Sequence, residues 1–433
     1  MDAPTQGGPA IGFLDRYLEV RRFTEKLAEP LATEDYVVQS MPDVSPTKWH
    51  LAHVTWFFET FVLLPHLAGY EPLDPAYQFL FNSYYLGAGE RHCRDQRGYL
   101  SRPTVEEVYA YRRHVDRHMR ELLGDLAGET PETNEILRVV EIGLQHEQQH
   151  QELLLTDIKH VFSVNPLRPA YLAASGHREE RQESVPPVAW MPAEEGLFEV
   201  GHLAGSGFAY DNEGPRHHYF LQGFELADRL VTNGEYLEFL DDGGYTRGEL
   251  WLSEGWAGAQ ANGWREPFYW ERKDGEWHCH TLHGSGPVDL EEPVCHVNYF
   301  EADAYARWAG ARLPSEQEWE VVASRHSMEG NFVESGRFHP APAVTGDGAA
   351  GATARQLFGD VWEWTRSQYS PYPGYQPAAG ILGEYNGKFM SNQFVLRGGS
   401  CTTSATHIRR TYRNFFPADA SWQFSGIRLA RDL

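Results

Sequence analysis

The stretch NEILRVVEIGLQHEQQHQELLLTDIKHVF, residues 134–162, most constrains the fold. Apolar residues recur through it at helical spacing, so it reads as one long amphipathic helix, the longest of the chain. Three more such segments precede it. IGFLDRYLEVRRFTEKL carries Phe13, Leu14, Tyr17, Leu18 and Leu27 at helical spacing. SPTKWHLAHVTWFFETFVLL opens with Ser45 as the expected N-cap and Pro46 in the first turn. TVEEVYAYRRHVDRHMRELL opens with a capping box, Thr104-x-x-Glu107. Four long amphipathic helices predict a four-helix bundle over residues 1–174. The long connection 66–103, rich in Gly, Tyr and Arg, is then expected to be a functional loop.

The remainder has a different composition. Eleven of the 13 tryptophans lie after residue 189; only Trp49 and Trp56 precede it. The change falls near SGHREERQESVPPVAW, polar, charged and Pro-containing, and residues 175–188 read as a linker. Residues 189–433 show short mixed segments with helices expected at 232–240, 298–309 and 315–325. The first and last of these start with capping boxes, Thr232-x-x-Glu235 and Ser315-x-x-Glu318. This half reads as an irregular α+β domain. Two domains also fit a chain of 433 residues.

The formal net charge of -24 repels phosphate backbones and argues against nucleic acid as a partner. No apolar run reaches the ~20 residues that span a bilayer, so no membrane partner is expected. The opening MDAPTQGGPAIGFLDRY lacks the basic-then-apolar pattern of a secretory signal. The four cysteines, Cys93, Cys279, Cys295 and Cys401, form no C-x-x-C, which fits a cytoplasmic location without a disulfide framework.

On the long helix, His146 and His150 are i and i+4 and share one face. Ile136, Val139, Gly143 and Leu153 or Leu154 lie on that face, so it points into the bundle. Inward imidazoles need partners. Two on one inward face point to a metal more than to two separate core hydrogen bonds. A third donor is expected from the second helix, where His53 lies mid-face and His50 at the margin. His53 is the first choice and His50 the second. Three neutral imidazoles leave coordination positions for substrate and for dioxygen or water.

H-E-x-x-H is also a zinc-protease pattern, with the acid as general base. Glu147, however, is rotated by about 100° from His146. Leu153 and Thr156 occupy the glycine and third-histidine places of the extended protease pattern.

Taken together, the motifs are recognisable. KWHLAHVTWFFE followed by HEQQHQELLL resembles the DinB-like domain of the ergothioneine-biosynthesis sulfoxide synthases (hercynine oxygenases). LVTNGEYLEFL, PVCHVNYFEADAYARWAGARLPSEQEWE, FGDVWEW, VLRGGS and GIRLARD look like a formylglycine-generating-enzyme-like domain, a C-type-lectin-like α+β fold. The ordered combination spans about residues 11–433. It implies a non-haem iron enzyme using Fe(II) and dioxygen. Such enzymes join the thiol of cysteine or γ-glutamylcysteine to the imidazole of Nα-trimethylhistidine (hercynine), giving a sulfoxide. The family's iron site matches His53, His146 and His150.

The resemblance also implies substrate contacts. Gln149 matches a residue beside the trimethylhistidine imidazole. Asn414 matches one that holds that substrate's amino-acid end, and Tyr385 lies near a substrate-contacting tyrosine. Phe415 and Phe416 replace the Trp and Asp of the actinobacterial branch. An aromatic ring at 415 can still face a quaternary ammonium. Phe416 accepts no hydrogen bond, which leaves free cysteine open as the sulfur donor. Arg91 and Arg94 match the family's arginine pair for the thiol substrate's carboxylate, a task that suits the guanidinium fork. The actinobacterial proton-donating tyrosine falls on Leu382 here. Tyr84 and Tyr85 instead match a tandem pair found in a second branch. A phenol stays protonated at neutral pH and can donate; one of the two is expected to be the acid and the other to position it.

Three other readings compete. Formylglycine generation needs two cysteines after the R-G-G-S segment, and only Cys401 is present. A metal-dependent thiol S-transferase of the DinB-like type would use three histidines without dioxygen. A lectin-like binding module on a structural bundle would leave three inward histidines at a burial cost.

Overall fold

The computed structural model describes residues 9–126, 128–173, 185–343, 353–380, 383 and 386–433. The chain divides into two compact units, Met1–Leu167 and Arg168–Leu433. Most of the expected linker, 175–184, lies outside the described residues, as do Leu382 and Tyr385.

In the first unit the four expected helices form: α1 (Pro9–Ala28), α2 (Thr47–Phe58), α3 (Val105–Asp125) and α4 (Pro131–Val164). α1 packs on α3 and α4, and α2 packs on the same two. The Thr104 capping box is present: the Thr104 hydroxyl accepts from Glu107 N, and the Glu107 side chain accepts from Thr104 N. At α2 the sequence expectation fails. Pro46 takes the cap position with no side-chain cap bond. Ser45 is used elsewhere, its N–H donating to Asp157 Oδ2 at 2.8 Å and its Oγ accepting from Arg97 at 2.8 Å. Tertiary partners outcompete the cap. After Phe58, α2 continues as a π-helical turn, Glu59–Leu63. The buried Glu59 carboxylate accepts from Tyr70 and Tyr111 at 2.6 Å each, which fastens the 66–103 connection to the bundle. That connection is not bare loop; it contains short helical turns at Tyr77–Leu80, Leu86–Ala88 and Arg94–Tyr99.

Every residue of α2 is buried. Most buried polar side chains find partners inside the protein. Lys48 Nζ donates to Pro103 O at 2.9 Å, and Thr55 Oγ1 accepts from Arg21 and Arg112. The same helix carries the imidazoles of His50 and His53.

The second unit holds four helices among the described residues: α5 (Asn233–Asp241), α6 (Ser253–Asn262), α7 (Tyr299–Trp308) and α8 (Glu316–Ala323). α6 was not expected. α7 has a capping box, Asn298 with Glu301, that the sequence reading missed because it looked for Ser and Thr. The strands are short. β1 (Trp190–Ala193), β2 (Gly196–Val200), β3 (His217–Leu221) and β4 (Phe224–Ala227) precede α5. β5 (Trp270–Lys273), β6 (Glu276–Thr281) and β7 (Gly284–Pro287) form an antiparallel sheet of their own. β8 (Trp362–Gln368), β9 (Gln393–Arg397), β10 (Asn414–Pro417), β11 (Ser425–Gly426) and β12 (Ala430–Asp432) follow. The largest sheet has the order β10-β9-β8-β11, and a second has the order β1-β4-β12. Trp319, Trp362 and Trp364 belong to the core beneath them. No helix among the described residues is long and apolar enough to cross a membrane.

Candidate metal centre

α2 and α4 approach closely where Gly143 faces Phe57 and Phe58. A Cβ at Gly143 would lie 2.5 Å from Phe58 Cε1. One turn further along α4 is His146, and its Nε2 lies 3.2 Å from His53 Nε2. His150, the next turn on, completes the group. The three residues each offer a ring nitrogen, and these nitrogens lie within 4.8 Å of one another. No other group of three His, Cys, Asp or Glu side chains does so among the described residues.

The hydrogen bonds say which nitrogens are available. His53 Nδ1 donates to Phe81 O at 2.6 Å, which leaves its Nε2 lone pair facing His146. His150 Nδ1 is 2.8 Å from His50 Nδ1, which leaves Nε2 as its free side. His50 has no nitrogen to spare: its Nε2 is 3.0 Å from Asp157 Oδ2. His50, the second choice from the sequence, thus contacts His150 and Asp157 with its two ring nitrogens.

All three imidazoles are held neutral. Burial pushes His146 down to about 3 despite the opposing charge of Glu147. Burial, then the neighbouring His146, holds His53 well below 6.5, although the Phe81 bond opposes this. Burial and then His146, His53 and His50 do the same for His150. Neutral, mutually facing imidazoles are the protonation state that a cation requires. The donor set thus fits a divalent transition metal.

Aromatic rings wall the group. Trp49 stacks on His53 with centroids 4.5 Å apart, and Trp56 stacks at 5.6 Å. The Arg97 guanidinium lies 3.3 Å from the Trp49 ring centroid. Burial, reinforced by Arg94, pushes Arg97 down to about 9, while Asp157 opposes this.

Glu147 does not face this group. Its carboxylate accepts from Arg21 at 2.9 Å, Arg112 at 3.2 Å and Thr24 at 2.7 Å. Burial opposes ionisation, but Arg21 and Arg112 outweigh it and hold the carboxyl below the usual range. A protease base would have to face water beside the metal. This one is tied to α1 and α3.

The remaining expected residues fall as follows. Tyr84 and Tyr85 stack with centroids 4.7 Å apart. Tyr85 is fully buried against Trp56 and Phe61, while Tyr84 is half-buried. Arg91 and Arg94 are exposed, and donate to Ser83 O at 3.0 Å and Asp43 O at 2.7 Å. Gln149 is partly exposed on α4 between the two histidines. In the second unit, Asn414, Phe415 and Phe416 form most of β10. Phe415 stacks on Tyr369 at 4.1 Å, and Phe416 meets Trp422 edge-on at 5.6 Å. Sequence reasoning missed Asp157 and Arg97. Asp157 could have been found: seven residues after His150, it lies on the same helical face. Arg97 carries no such signal.

Two family models match the chain. The sulfatase-modifying factor enzyme 1-like domain matches residues 175–433, and the DinB superfamily matches residues 16–154. The hercynine oxygenase of Mycobacterium tuberculosis is 32% identical over 413 residues, covering 90% of this chain and 92% of its own. That of Mycolicibacterium smegmatis is 32% identical over 423 residues, covering 91% and 93%. Ergothioneine biosynthesis protein 1 of Schizosaccharomyces pombe is 29% identical over 239 residues, covering 52% of this chain and 28% of its own.

Proposed function

The chain belongs to the hercynine oxygenase family, and on that premise we propose that it is an iron(II)- and dioxygen-dependent sulfoxide synthase of ergothioneine biosynthesis. It joins imidazole carbon 2 of Nα-trimethylhistidine to the thiol sulfur of cysteine or γ-glutamylcysteine. The C–H and S–H bonds break, C–S and S–O bonds form, and dioxygen leaves its second oxygen as water. The observation that carries this reading is the convergence of His53, His146 and His150, whose ring nitrogens lie within 4.8 Å of one another.

Those three imidazoles would hold the iron. When bound, iron(II) supplies one-electron chemistry with dioxygen at coordination positions the protein leaves open. The protein's own groups do the rest. Gln149, one residue before a ligand, presents an amide to the trimethylhistidine imidazole. Asn414 binds that substrate's amino-acid end, and Phe415 offers a ring face to its quaternary ammonium. Phe416, next in sequence, brings no charge, which leaves free cysteine open as the sulfur donor. Arg91 and Arg94 take the carboxylate of the thiol substrate. Tyr84, the more accessible of the stacked pair, holds the proton at Oη that reduction of dioxygen consumes, and Tyr85 positions it.

The test is anaerobic reconstitution with iron(II), then addition of trimethylhistidine, cysteine or γ-glutamylcysteine, and dioxygen. Oxygen uptake coupled to both substrates, with a sulfoxide of the combined mass, is expected. Transfer of the thiol without oxygen uptake would favour the S-transferase reading instead.

A further inference from the structure

We infer that His50 and Asp157 are positioning residues: together they fix which nitrogen of His150 carries hydrogen, and so which nitrogen is offered to a metal. The inference rests on the three-histidine metal reading above.

His50 is 2% exposed and both of its ring nitrogens are engaged, Nδ1 with His150 Nδ1 at 2.8 Å and Nε2 with Asp157 Oδ2 at 3.0 Å. Two ring nitrogens at hydrogen-bond distance must be one donor and one acceptor. A carboxylate only accepts, and a neutral imidazole has one N–H and one lone pair. A neutral His50 therefore donates from Nε2 to Asp157, and its Nδ1 is the acceptor. His150 must then donate from Nδ1. Its lone pair is left on Nε2, the nitrogen that remains for a metal. Asp157 sets the order of the whole chain from two hydrogen bonds away.

The same outcome is reached at His53 in one step, by donation to Phe81 O. At His150 the relay takes two, and its carboxylate is itself held. Asp157 Oδ2 also accepts from Ser45 N at 2.8 Å, and Ser45 Oγ accepts from Arg97, the guanidinium over Trp49. Ser45 N–H points at the same oxygen as His50, so that position needs an acceptor. An arrangement serving only to satisfy two core histidines works in either order. With His50 neutral, this one works in one order only. Groups that orient a ligating histidine through its distal nitrogen typically change metal affinity 10–100-fold.

The experiment uses the full chain, stripped of metal and titrated anaerobically with cobalt(II), reading affinity and the visible ligand-field bands. His50→Phe removes the acceptor from His150, and Asp157→Leu removes the anchor. Both should weaken binding about 10–100-fold and shift the bands. Asp157→Asn keeps an oxygen where Ser45 N–H and His50 require one, and should restore near wild-type affinity. Wild-type affinity and unchanged bands in folded His50→Phe overturn the inference. If wild-type protein takes up no stoichiometric cobalt and His146→Ala changes nothing, the metal reading itself fails, and the inference with it. The tautomer is also read without any variant. In 15N-histidine-labelled, metal-free protein, ring-nitrogen shifts of His150 should show hydrogen on Nδ1. Hydrogen on Nε2 contradicts the relay even if every variant misfolds.

Discussion

Glu147 and Arg21 form a buried ion pair: Arg21 Nη1 donates to Glu147 Oε2 at 2.9 Å, and the two side chains are 0% and 2% exposed. The acid of the H-E-x-x-H box is thus part of the scaffold that carries the histidines. Removing one partner of such a pair strands a charge, at a cost of about 3–5 kcal/mol. Glu147→Leu should lose stability on that order in urea unfolding. Its cause is structural, so Glu147→Gln, which keeps one acceptor oxygen for these donors, should lose less and still bind cobalt(II). A Glu147→Gln protein of full stability that is dead in turnover would instead make Glu147 a catalytic group.

Gly143 is the point of contact between the two ligand-bearing helices. A methyl there meets Phe58 at 2.5 Å and Phe57 at 2.9 Å. Gly143→Ala should therefore cost stability through overpacking, about 1–3 kcal/mol, although alanine favours helix. Because His146 lies one turn away, metal affinity should fall as well. A stabilised variant with unchanged affinity would show that the helices do not need this approach.

Burial makes the metal-free protein acid-sensitive. His146 is held at about 3, and His53 and His150 well below 6.5, whereas in the unfolded chain each protonates near 6.5. Below that value the unfolded state binds more protons. Stability present above about pH 6.5 is lost as pH falls toward the folded-state values, at about 1.4 kcal/mol per pH unit for each histidine. Urea unfolding between about pH 7 and pH 5 should show this slope, and His146→Gln should remove one histidine's share of it. An identical slope in wild type and variant would contradict the assignment.

Tyr84→Phe and Tyr85→Phe, singly and together, should leave metal binding intact. The stacked pair keeps its rings but loses hydroxyls. The expected change is in partitioning: less sulfoxide, or diversion to simple thiol oxidation, with the larger effect at Tyr84. Product ratios unchanged in all three variants reject the proton-donor role.

Much of the first unit was legible in the sequence because its signals are local. Helical spacing of apolar residues located α1 to α4, and the wheel put His53, His146 and His150 on facing sides. Capping boxes placed the starts of α3, α5 and α8. What the sequence hid depends on distant partners. Ser45 has the chemistry of an N-cap, yet Asp157 and Arg97 claim it. The π-helical turn after α2 follows from Glu59 being gripped by Tyr70 and Tyr111, one from the long connection and one from α3. His50 differed from His53 only by its angle on a wheel. What separates the two in the structure is that both ring nitrogens of His50 are engaged, with His150 and Asp157. Nothing local distinguishes Tyr84 from Tyr85; packing against Trp56 and Phe61 buries the second.

The central claim is that imidazoles 53, 146 and 150 hold one metal ion through Nε2. Anomalous diffraction at the iron edge from anaerobically loaded crystals tests it most directly. One peak within bonding distance of Nε2 of all three, with His50 outside the coordination sphere, is the predicted result. A peak elsewhere, or one bound through His50 or through Nδ1 of His150, would contradict the account.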